Sequence, residues 1–116
     1  MVLLSGPTCP VGTWIDTRIA AQPDSRERLT QLRGSGSDID PRAWLASLQI
    51  PGLWQFGGKD DNIPVDISIS ELDKLVASGH SNYEYRLYPE GGHVDMGPSE
   101  DEARRDRIDW MRRLAA

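Results

Sequence analysis

Asp60 and His93 are the side chains whose type and setting best fit acid–base chemistry in this chain of 116 residues. Asp60 follows the run Leu53-Trp54-Gln55-Phe56-Gly57-Gly58-Lys59 and precedes Pro64, so an acid sits between an apolar stretch and a helix start. His93 closes Pro89-Glu90-Gly91-Gly92-His93, after the next apolar stretch. A carboxylate beside an imidazole holds it in one tautomer and stabilises its charged form, which makes the ring a general base. Acyl transfer also needs a nucleophile. Ser5 and Cys9 are the candidates, because both leave the end of the first apolar run. A thiol near an imidazole ionises and attacks. Plainer roles compete: Ser5-Gly6-Pro7 suits a turn, and a lone cysteine suits a small buried thiol. Asp60 can also cap the helix opened by Pro64, and Asp61 and Asn62 read as caps. His80 reads as a surface histidine at a helix end. Asp95 with His93 makes two metal ligands without a third, so no metal site is assigned.

These groups need elements that bring them together. The continuous apolar run Val2-Leu3-Leu4 predicts a short buried strand. Residues 7–23 read as a loop with Trp14 tucked inward, and residues 25–33 as a short helix after Asp24. Gly34-Ser35-Gly36-Ser37 is a flexible connector, not a domain boundary. Asp40-Pro41 starts a helix in which Ala43, Trp44, Leu45 and Leu48 form an apolar side. Residues 53–56 form a second strand, ended by Gly57-Gly58. Pro64 opens a helix with Val65, Ile69, Leu72 and Val76 on one face, closed by Gly79. Tyr83, Tyr85 and Leu87 alternate with Glu84, Arg86 and Tyr88, the period of a half-exposed strand at a sheet edge. A last helix is expected over residues 99–114, with Ile108, Met111 and Leu114 inward and Trp110 at the margin. Alternating strands and helices imply parallel strands with right-handed crossovers. The expected fold is α/β with three layers, α/β/α, and a short parallel sheet of about three strands in one domain, residues 1–116. Reactive groups in such sheets gather at the carboxyl edge of the strands.

The pattern Gly57-Lys59-Asp60-Pro64, followed by Gly92-His93, resembles the acid and histidine segments of α/β-hydrolases. The branch it is most similar to holds esterases, dienelactone hydrolases and prolyl-oligopeptidase-like enzymes. The resemblance implies that Asp60 is the triad acid and His93 the general base, and that Val2 to Leu4 is the strand after the nucleophile helix. Spacing to Pro64 favours Asp60 over Asp61. The family's glycine-x-serine-x-glycine elbow is absent from these residues. The resemblance therefore implies the C-terminal part of a hydrolase: a truncated protein, a natural half-length relative, or an enzyme with a displaced nucleophile.

Composition narrows the partners. A net charge of −5 and the lack of a basic stripe argue against nucleic acid. No run reaches membrane length, so no membrane is expected. The single cysteine excludes an intrachain disulfide and fits a reducing, cytoplasmic setting. Without a phosphate loop or a cysteine–histidine set, no cofactor is expected. The open edge of Val2 to Leu4 is a pairing template, so a homodimer through that strand is expected. Two functions follow: hydrolysis of a small-molecule ester, or a non-catalytic hydrolase-derived module that assembles as that dimer.

Overall fold

A computed structural model of the chain describes residues 1–4, 6, 8, 16, 20, 24, 40–93 and 95–115. Among the described residues three strands make one sheet: β1 (Val2–Leu4), β2 (Gly52–Gly57) and β3 (Tyr83–Tyr88). The order is β1-β2-β3 and both pairings are parallel. Leu3 lies opposite Trp54, which lies opposite Tyr85; Gly57 ends β2 opposite Tyr88 at the end of β3. The helices whose bounds fall among the described residues are α1 (Arg42–Ser47), α2 (Val65–Ala77) and α3 (Glu100–Ala115), the last entered through a 3₁₀ turn at Gly97–Ser99. The expected helix near 25–33, Trp14 and the 34–37 connector lie outside the described residues; within the expected loop at 7–23, Asp16 and Ala20 are helical, not loop.

Every residue of β2 is buried. Its alternate residues serve different neighbours, as the two-residue period requires. Trp54 and Phe56 join Leu45, Ile63, Val65, Leu72 and Tyr83 in the main core. Trp54 meets Tyr83 edge to face at 5.2 Å, a favoured aromatic geometry. Gln55, of the other parity, donates from Nε2 to Ala103 O of α3 (2.8 Å) and to the Tyr88 hydroxyl (2.9 Å). Tyr88, Met96 and Ala103 form a second buried cluster.

Short α1 is held from both ends. Asp40 Oδ1 accepts the Arg42 N–H at 3.0 Å. The carbonyls that a helix end leaves without partners are met by the turn before β3. His80 Nε2 lies 2.7 Å from Ala46 O and the Tyr83 hydroxyl donates to Leu45 O (2.6 Å), while beyond the helix Asn82 Nδ2 donates to Ile50 O (2.8 Å). Gly79 ends α2 at φ +110°, the left-handed region where a Cβ is unfavourable.

Several expected faces are corrected. On α3 the buried residues are Ala103 and Trp110, whereas Ile108, Met111 and Leu114 are 37%, 49% and 50% exposed. The helix is turned because its inward contacts are polar: Arg107 Nη1 donates to Gln55 Oε1 (2.8 Å) and the Tyr88 hydroxyl donates to Asp106 Oδ2 (2.6 Å). On α2 Val65 and Leu72 are buried and Ile69 packs against the core as expected, but Val76 is exposed and Ser68 is buried instead. The Ser68 side chain is inward where Oγ accepts the Thr8 N–H at 3.4 Å, and the Thr8 hydroxyl donates to the Ser68 carbonyl at 2.6 Å. On α1 only Leu45 is buried and Trp44 is 67% exposed, so this tryptophan does not pack.

Candidate functional site

Parallel strands that end in register place their following loops side by side. Past Gly57 and Tyr88 the two loops bond to each other: Gly58 N–H donates to Tyr88 O and Lys59 N–H to Gly91 O, both at 2.8 Å. The approach depends on glycine. A Cβ built on Gly57 collides with the backbone of Gly91 and Gly92, and one on Gly58 would lie 2.6 Å from Pro89 O. The other side of the histidine turn is also fixed. Gly92 N–H donates to Asp95 O (2.8 Å) and Gly97 N–H to Asp95 Oδ1 (2.8 Å). Fully buried Met96 packs under Gly91, and its N–H donates to Glu100 Oε2 at 3.1 Å.

His93 Nδ1 lies 2.9 Å from Asp60 Oδ2. The Asp60 side chain is 0% exposed and that of His93 37%. Asp60 Oδ1 accepts the backbone N–H groups of Asn62 (2.8 Å) and Ile63 (3.3 Å). One carboxylate thus caps the start of the chain toward α2 and holds the imidazole, satisfying a buried charge with three donors. An ionised carboxylate only accepts, so Nδ1 carries the proton and Nε2 keeps the lone pair. That is the tautomer a general base needs. The spatial meeting of Asp60 and His93 is therefore as the sequence suggests.

Ser5 and Cys9 lie outside the described residues. Asp61 is exposed, Asn62 lends its N–H to Asp60, and Asp95 shapes the histidine turn. His80 lies at the opposite end of the strands, against α1. Among the described residues no group of three His, Cys, Asp or Glu side chains is arranged to hold a metal ion. No helix among them is long and apolar enough to cross a membrane.

The polar cluster of Gln55, Tyr88, Asp106 and Arg107 escaped the sequence reading. A lone glutamine within an apolar run, and a tyrosine on the off-beat of an alternating strand, were its only signals. Burial, and then the Asp106 acceptor, raise the Tyr88 hydroxyl above its ordinary pKa and keep it a donor. The cluster ties α3 to β2 and β3 immediately before the histidine loop.

A cleft of about 530 Å³ opens between β3 and the start of α2. Ile63, Pro64, Ile67, Leu87 and Pro89 give it apolar walls, and Asp60 and Asp66 border it. It reaches the acid of the pair, not His93. Comparison of the chain with protein families, with curated proteins and with solved structures found no match.

Proposed function

We propose that the protein hydrolyses small carboxylic esters, with His93 as general base and Asp60 as its orienting acid. The carrying observation is the 2.9 Å contact between His93 Nδ1 and the fully buried Asp60 carboxylate. A buried acid that fixes one tautomer of a part-exposed imidazole is the arrangement that proton transfer from a hydroxyl or thiol requires. Ser5 or Cys9 supplies the nucleophile, or a serine on a segment outside this sequence does. The parallel order β1-β2-β3 is compatible with the carboxyl-terminal part of an α/β-hydrolase. The contacts of Trp54 with the α2 cluster, and of Gln55 with α3, support a three-layer α/β/α arrangement. The setting we propose is cytoplasmic. The test is turnover of an activated short-chain ester together with labelling by a covalent serine-hydrolase probe; labelling at neither Ser5 nor Cys9 removes both as nucleophiles.

A second reading rests on β1. Among the described residues this strand pairs only with β2, and Leu4 is 42% exposed. A non-catalytic module would use that edge to pair with a second copy, continuing the sheet across a two-fold axis. A dimeric mass at micromolar concentration that is lost on replacing Leu3 with proline supports this; a monomeric mass rejects it.

A further inference from the structure

The carboxyl edge of the sheet carries a net excess of negative charge. Residues 57–66 and 89–102 hold eight carboxylates and one lysine, a formal −7 against −5 for the whole chain, so the remainder is net +2. The topology gathers both segments where β2 and β3 end. The lysine, Lys59, is already paired with Glu90 at 2.5 Å. Asp61, Asp66, Asp95, Asp101 and Glu102 are exposed. Arg104 and Arg107 reach Asp101 and Glu100 from farther along α3. The field over the dyad therefore draws cations and repels anions.

The cleft beside Asp60 adds a shape to that field. Its walls include Ile67 and Leu87, 43% and 44% exposed, and no lysine or arginine is among its described lining residues. Asp66 stands at the start of α2 on its border. An acid in a first helical turn is favoured there by the helix dipole. That accounts for Asp66 alone, not for exposed apolar walls around it. A neutral ligand would gain only the apolar contact, and an anion would lose by charge. A cation with an apolar body satisfies both.

We infer that this cleft binds a small amphiphilic cation, so that the preferred ester carries a quaternary or protonated amine on an aliphatic chain. The substrate part of the inference rests on the esterase reading above; the binding part does not. The test is an amide-resolved NMR titration of the intact chain with butyltrimethylammonium, its neutral counterpart 3,3-dimethylbutan-1-ol, and butanesulfonate. The cation is expected to shift Ile67 and Leu87 and to bind at least several-fold tighter than the alcohol, with no binding of the sulfonate. Asp66→Asn is expected to weaken the cation about twofold to fivefold, the size of an exposed charge contact, and to leave the alcohol unchanged. Salt at about 0.5 M should narrow the difference by screening. Equal binding of cation and alcohol, no binding, or an Asp66→Asn protein indistinguishable from wild type would overturn the inference. Cation binding without ester turnover would leave the cleft standing and sink the esterase. Equal kcat/KM for cationic and neutral esters, both dependent on His93, would keep the esterase and overturn the substrate preference.

Discussion

Gly57→Ala should damage fold and site together, because the methyl group has nowhere to go. It would meet the backbone of Gly91 and Gly92, not the flexible end of a side chain. The loops must part by about an ångström, which forfeits the bonds from Gly58 N–H to Tyr88 O and from Lys59 N–H to Gly91 O. Two such bonds contribute about 1 kcal/mol each, and overpacking a close site costs about 1–3 kcal/mol more. A loss of about 3–5 kcal/mol is expected, equivalent to a fall in Tm of roughly 10–25 °C for a domain of this size. The 2.9 Å contact between His93 and Asp60 spans the same two loops and should lengthen beyond hydrogen-bonding range. Urea unfolding followed through the buried Trp54 and Trp110 measures the first effect. The His93 imidazole nitrogen shifts measure the second. Gly79→Ala is the control: nothing lies within 4 Å, and only its φ of +110° is strained, for about 1 kcal/mol and no change at His93. A Gly57→Ala protein as stable as wild type, with unaltered imidazole shifts, would refute the interlocked loops.

Tyr88→Phe should cost about 1–3 kcal/mol at neutral pH, since it strands a Gln55 donor and the Asp106 acceptor. Because folding raises the pKa of Tyr88, the unfolded chain loses this proton first, and the stability it contributes is present below about pH 10 and lost as pH rises above it. Wild type should therefore lose more stability than Tyr88→Phe between about pH 9 and 11 in parallel urea titrations; equal losses would contradict the assignment. His80→Ala should free the end of α1 at a cost of about 1 kcal/mol, seen as faster amide exchange in α1 with His93 unchanged. Unaltered exchange there would show that Tyr83 and Asn82 suffice.

The meeting of Asp60 and His93 was legible because local chemistry carries it. Glycines mark where loops approach, Pro64 marks a helix start, and two strands of similar length bring their ends level. The orientation of α3 was not legible. Apolar periodicity selects Ile108, Met111 and Leu114, but this interface is held by Gln55, Tyr88, Asp106 and Arg107, and hydrogen bonds leave no hydrophobic period. The inward place of Ser68 was hidden for a related reason: its partner, Thr8, is distant in sequence. Trp44 shows the converse. An aromatic residue at helical spacing suggests a core contact, yet six-residue α1 has room for one anchor, Leu45.

The most direct test of the dyad is the rate at which the intact chain hydrolyses an activated short-chain ester, measured beside folded His93→Ala and Asp60→Asn proteins. Turnover above buffer is expected from the wild type, and His93→Ala should abolish it. Asp60→Asn should lower it by roughly 10²–10⁴, because the amide no longer holds the ring in the useful tautomer. No turnover by the wild type, or turnover that survives His93→Ala, would contradict this expectation.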